Sequence, residues 1–155
     1  MKIELIRASL KDAKEIWKMQ VKSFKNLLDK YQDFETNPAS ETILNVEMRL
    51  KQNFTFFYFI FIDNKKVGAI RVVDYKEKNK NKRISPLFIL PEYRNKGIAQ
   101  SVIKICEEIH GNTNWELSTI LEEKGNCYLY EKLGYHPTGK IQVINDRLTL
   151  IFYHK

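Results

Sequence analysis

The stretch RISPLFILPEYRNKGIAQSVIKICEEI, Arg83 to Ile109, constrains the fold more than any other part of the chain. Its opening residues, Arg83–Leu90, are apolar on both faces, the pattern of a strand at the centre of a sheet. Pro91 stops that strand. Ile98, Val102, Ile105 and Ile109 then recur at i, i+4, i+7 and i+11, an amphipathic helix that Gly111 ends. A central strand therefore runs straight into a helix through the turn Pro91-Glu92-Tyr93-Arg94-Asn95-Lys96-Gly97. The free N–H groups and dipole of such a helix start favour an anion by about 0.3–1 kcal/mol per charge. Gly97 has no Cβ to hinder close approach, Ala99 keeps the first turn lean, and Arg94 and Lys96 add cations. Neither Gly-x-x-x-x-Gly-Lys-Ser/Thr nor Gly-x-Gly-x-x-Gly is present. On physics alone the turn is either a pyrophosphate cradle or a helix start with no ligand.

The rest of the chain supplies the surroundings. KIELIR (Lys2–Arg7) alternates as a strand. Ser9 fits an N-cap ahead of Ala13, Ile16, Trp17, Val21, Phe24, Leu28 and Tyr31 at helical spacing. A loop follows, and Ser40-Glu41 opens a second helix with Ile43, Val46 and Leu50 on one face. Phe54–Ile62 is the most apolar run, far short of the roughly 20 residues a membrane helix needs. With KVGAIRVVDY it flanks Asp63-Asn64-Lys65-Lys66 as an antiparallel hairpin. The dense run Lys76–Arg83 reads as a solvated connection. Trp115–Leu121 is a strand, Asn126–Tyr135 a short helix closed by Gly134, and Tyr135–Val143 and Arg147–His154 are strands. The order is β-α-α-β-β-β-α-β-α-β-β: an α/β mixture of about seven strands and four helices.

The 155 residues carry no linker or repeat, which predicts one domain over 1–155. Hydrophobic residues at 43% predict a packed core, and the formal net charge of +7 points to an anionic partner. A basic stripe interleaved with aromatics is missing, so nucleic acid is not expected, and neither is a membrane. MKIELIRASL has no apolar core long enough for export. Cys106 and Cys127 then read as reduced thiols of a cytoplasmic protein. His110, His136 and His154 are scattered without ligand spacing, so no metal is expected.

Arg94-Asn95-Lys96-Gly97-Ile98-Ala99 resembles the Arg/Gln-x-x-Gly-x-Gly/Ala signature of the GCN5-related N-acetyltransferases (GNAT). LFILPEYR and the later NCYLYEKLGY are similar to further segments of that family, and the element order fits over essentially the whole chain. The resemblance implies a GNAT fold with a mixed, mostly antiparallel sheet, and acetyl-CoA as the acyl donor. It implies that backbone amides around Arg94, Asn95, Lys96, Gly97, Ile98 and Ala99 bind the CoA pyrophosphate. It implies that the main chain of Leu87, Phe88 and Ile89 bonds the pantetheine arm.

Amide formation from a thioester needs a neutral amine, a stabilised oxyanion and a protonated leaving thiolate. The resemblance puts Tyr130 beside the CoA sulfur. A thiol titrates near 8.5 and Tyr near 10, so full proton transfer is uphill by about 2 kcal/mol and a hydrogen bond is the alternative. Asn126, one helical turn before Tyr130, is either the helix N-cap or a CoA contact; the family's commoner Asn position falls on Glu123. For the general base, Glu116, Glu122 and Glu123 are candidates, with Glu122 favoured and a water-mediated base equal to it. The acceptor is expected to be a small-molecule or peptide amine, and the resemblance implies that the Phe24–Pro38 region, with Phe24, Tyr31, Asp33, Phe34 and Glu35, holds it together with the turn between the last two strands. The alternative is a catalytically silent CoA-binding sensor on the same fold. A homodimer is compatible with either.

Overall fold

Asp63 and Asn64 both take positive φ, 47° and 70°. That is the two-residue turn whose twist matches paired strands, and it sets the register of everything around it. The computed structural model describes residues Met1–Lys155. In it the turn joins β2 (Thr55–Ile62) to β3 (Lys65–Val73). β1 (Ile3–Arg7) lies on the outer side of β2, and β4 (Lys82–Ile89) on the other side of β3. The sheet continues through β5 (Trp115–Ile120), β7 (Thr149–His154) and β6 (His136–Val143), in the order β1-β2-β3-β4-β5-β7-β6. Every pairing is antiparallel except β4 with β5.

That exception positions the site. β4 and β5 pair over only Lys82↔Trp115 and Arg83↔Glu116 and then separate. Pro86, which has no N–H to give, sits where the β3–β4 ladder slips, and β4 leaves that slip already parted from β5. The gap between the two strands is the mouth of a cleft.

Four helices cover the sheet: α1 (Ala13–Tyr31), α2 (Ile43–Lys51), α3 (Ile98–His110) and α4 (Lys124–Lys132). β2 is apolar on both faces because both are covered. Tyr58, Ile60 and Ile62 join a cluster with Ile98, Val102, Ile103 and Cys106 of α3 and Cys127 of α4. Phe57 and Phe59 join Ala13, Ile16 and Val46 of α1 and α2, with Ala69 and Phe88. No residue of β5, β6 or β7 belongs to this second cluster, so α1 and α2 leave that half of their face open.

Three expectations are corrected. In α3 the buried stripe is Ile98, Val102, Ile103 and Cys106, while Ile109 is 51% exposed. Asn126 is not the cap of α4: the helix starts at Lys124 with Glu123 at the N-cap, and the Asn126 amide donates to the Glu123 carbonyl at 3.0 Å. Glu41 precedes α2, whose N-cap is Thr42; its carboxylate pairs with Arg49 and accepts from Gln20 Nε2 at 2.8 Å. Ser9 caps a short 3-10 turn at Leu10–Asp12 that leads into α1.

Candidate active site

Two adjoining cavities of about 510 Å³ each open along β4, the second between β4 and β5 and the first between the end of β4 and α4. Phe24, Leu27, Leu87, Asn126 and Tyr130 line both. The first runs to the start of α3 and is lined there by Arg94, Asn95, Gly97, Ile98, Ala99 and Gln100, with Leu87, Phe88 and Ile89 along one wall. The second lies over the open face of β5, β7 and β6.

The turn into α3 is built by left-handed backbone. Asn95 has φ 62° and Gly97, the N-cap, has φ 75°, with no heavy atom within 4 Å of where a Cβ would sit. An Asn and a Gly are the residues that adopt this conformation most readily. The result is a lean helix N-terminus with unbonded N–H groups beside a cavity, which fits a pyrophosphate. Of the two cations expected to help, neither is free for it in the same way. Arg94 Nε donates to the Ile89 carbonyl at 3.0 Å, and its terminal nitrogen donates to the Ser23 carbonyl of α1. Arg94 is therefore a brace that ties α1 to the end of β4. Lys96 does not line the cavity; its Nζ lies 5.8 Å from the centre of the Tyr93 ring.

Tyr130 sits at the junction of the cavities. Its ring stacks on Tyr135, 6.0 Å between centres, and its hydroxyl has no protein partner. Burial pushes its pKa up to about 12. Asn126 lies one turn away and lines both cavities.

Glu122 is the expected residue that the structure does not bring to the cleft. It lines neither cavity, and its carboxylate accepts from the Thr149 amide at 2.9 Å. The next residue, Glu123, lines the first cavity. It accepts from Tyr31 Oη at 2.5 Å and pairs with Lys30 at 2.8 Å, so it clasps the end of α1 across the cleft. The Lys30 hydrogen bond, followed by that of Tyr31, holds its carboxyl below the usual range. Glu116, at the paired end of β5, accepts from Asn81 and lies outside both cavities. In the α1–α2 region, Phe24 and Asp33 line the second cavity, while Phe34 (64% exposed) and Glu35 do not.

Ser23 was not expected. It lines the first cavity, is 2% exposed, and its Oγ has no partner. The Oγ is shut off from solvent as well as unpaired, an orphaned buried hydroxyl beside the cavity. The signal was in the sequence: Ile16, Gln20 and Ser23 share the buried stripe of α1, and a serine there calls for a partner.

The family model described as "Acetyltransferase (GNAT) domain" matches residues 53–137, more than half of the chain. The chain belongs to the GNAT family of acetyltransferases. Its fold is also similar to solved structures of low sequence identity. The spermidine N-acetyltransferase of Vibrio cholerae, in complex with CoA and spermine, is 17% identical with a TM-score of 0.75, over 97% of this chain and 93% of that one. An acetyltransferase of Thermus thermophilus is 14% identical with a TM-score of 0.70, over 99% and 96%. The microcin C7 self-immunity acetyltransferase, in complex with acetyl-CoA and AMP, is 16% identical with a TM-score of 0.70, over 98% and 91%. No curated protein matches this chain. No helix is long and apolar enough to cross a membrane.

Proposed function

We propose that this protein moves an acetyl group from acetyl-CoA directly to a primary amine, with both substrates bound at once in the two joined cavities. The observation that carries this reading is Tyr130: a half-buried tyrosine with an unpartnered hydroxyl where the cavity leading to α3 meets the cavity over the open sheet. Acetyl-CoA supplies a thioester already activated toward amines. The amides at Gly97, Ile98 and Ala99 hold its pyrophosphate, and the main chain of Leu87, Phe88 and Ile89 orients its arm. Asn126, which lines both cavities, supplies a side-chain hydrogen bond along the way.

Tyr130 acts as a hydrogen-bond donor to the departing sulfur. With its pKa near 12, handing its proton to a thiolate that titrates near 8.5 is uphill by about 5 kcal/mol. A donated hydrogen bond has no such barrier and strengthens as charge builds on sulfur. The role expected of Glu122 passes to solvent. Glu122 is turned to Thr149, and Glu123 is already paired with Lys30 and held ionised, which makes it a weak base.

The test combines thermal stabilisation by CoA with release of free thiol from acetyl-CoA across an amine panel. Tyr130→Phe is expected to lower turnover about 10²-fold while leaving the CoA stabilisation intact, since the lost hydroxyl bonds nothing in the protein. Stabilisation by CoA with no thiol release from any amine would favour a non-catalytic sensor. An unchanged kcat in Tyr130→Phe would remove Tyr130 from the mechanism.

A further inference from the structure

The second cavity carries a charge pattern that bears on which amine is acetylated, and the inference rests on the function proposed above. Three charged side chains line that cavity: Asp33, Arg83 and Lys140. Asp33 is 3% exposed and already occupied. Its Oδ1 accepts from the amides of Glu35 at 3.1 Å and Thr36 at 2.9 Å, and its Oδ2 accepts from Thr36 Oγ1. It closes its own loop and presents no free carboxylate oxygen to a ligand.

The two cations are in the opposite condition. Neither Arg83 nor Lys140 forms an ion pair or a side-chain hydrogen bond. Lys140 Nζ rests 4.4 Å from the centre of the Phe152 ring, itself part of the cavity wall. Glu116, the register partner of Arg83 on β5, is held by Asn81 and lies outside the cavity. The net charge of +7 gives the surroundings the same sign. Such a site repels a polycation and attracts an oxyanion.

The reacting end lies at Tyr130 and Leu87, which belong to both cavities. Arg83 stands four residues back along β4, a span on the order of 10 Å at the rise of a strand. We propose that the acceptor is a small amine carrying a compact oxyanion, carboxylate or phosphate, at its far end, with Arg83 and Lys140 receiving that anion. The same two cations favour the reaction in another way. A positive environment disfavours the ammonium form of the bound amine, so more of it is neutral and nucleophilic without a dedicated base.

The experiment titrates the CoA-bound protein by calorimetry with ω-aminooctanoate, the corresponding ω-aminoalkyl phosphate, α,ω-diaminooctane and spermidine, and measures thiol release with each. At least one of the anionic amines is expected to bind tenfold or more tightly than the diamine and spermidine. The better of the two identifies the oxyanion. Arg83→Glu with Lys140→Glu is expected to weaken that binding at least tenfold and to reverse the preference toward the diamine. Its melting temperature and its stabilisation by CoA should match the parent, since neither residue touches the first cavity. Equal or tighter binding of the polycations by the parent protein, or a preference unmoved by the double variant, overturns the inference and leaves acetyl transfer standing. Absence of CoA stabilisation in the parent overturns both.

Discussion

The two halves of the sheet obey different rules. β1 to β4 are covered by helices on both faces wherever the core is thickest, and β2 is apolar almost without interruption as a result. β5 and β7 are covered on one face only, by Trp115, Leu117 and Tyr153 packing under α3 and α4, and every residue of β6 is exposed. The covered half has its side chains fixed by packing. The open half does not, and Lys140 and Phe152 of the proposed acceptor site stand there, facing Arg83 at the near margin of β4. On the function proposed above, the difference separates two tasks: the covered half provides stability, and the margin between the halves is where the two substrates would meet.

The sharpest way to break this contrast is Gly68→Val. A Cβ at Gly68 would lie 2.1 Å from the Phe88 carbonyl oxygen and 3.1 Å from Ile89 Cα, both backbone. β3 and β4 would be forced apart along the wall of the first cavity. A loss of more than about 3 kcal/mol, or failure to fold, is expected in chemical denaturation. Next come matched phenylalanines. Phe57→Ala, at 1% exposure in the covered half, should cost about 3–5 kcal/mol. Phe152→Ala in the open half should cost under about 1 kcal/mol but raise the KM for the amine; equal destabilisation by the two would erase the distinction.

Smaller is a pH effect within the covered half. The His110 side chain is 1% exposed, between Asp74 Oδ2 and Tyr58 Oη at 2.8 Å each, with Lys76 and Lys82 nearby. Burial holds its pKa below the ordinary value, against the opposing pull of Asp74. The unfolded chain therefore binds the extra proton first. Stability should be full above about pH 6.5 and fall at lower pH, by at most about 1.4 kcal/mol per unit. His110→Gln should flatten that limb of a pH-dependent unfolding series. Smallest is Lys96→Ala: a change in the CoA KM of less than about threefold, seen only at low salt, because its Nζ lies over Tyr93 and outside the cavity.

The covered half was the more legible in sequence, for the same reason. The hairpin Phe54–Tyr75 was readable because its apolar run and its Asp-Asn turn are both local signals. In α3, periodicity identified the helix but not which of two neighbouring stripes faces the sheet, since Ile98 and Val102 belong to both. Contact with β1 and β4 decides for Ile103 and Cys106. The turn into α3 was readable because backbone alone builds it, at Asn95 and Gly97, while side-chain contacts were less so. Arg94 looked like a phosphate cation until α1 placed a carbonyl 71 residues away within its reach. Glu122 and Glu123 are indistinguishable as text, and only the fold shows which of them faces the cleft.

The parting of β4 from β5 after two residue pairs has a further consequence. A sheet of seven strands ordinarily has two edges; this one has four, because the gap gives β4 and β5 each an unpaired margin in the interior of the sheet. Exposed margins of apolar strands are where chains adhere to one another. A cofactor arm bound along Leu87–Ile89, as proposed above, would serve as a missing strand, completing the ladder from outside the polypeptide. In that case the cofactor protects the enzyme as well as supplying it. Without CoA, the amides of Leu87–Ile89 that point into the gap should exchange faster than in its presence, and concentrated protein should self-associate at that seam first.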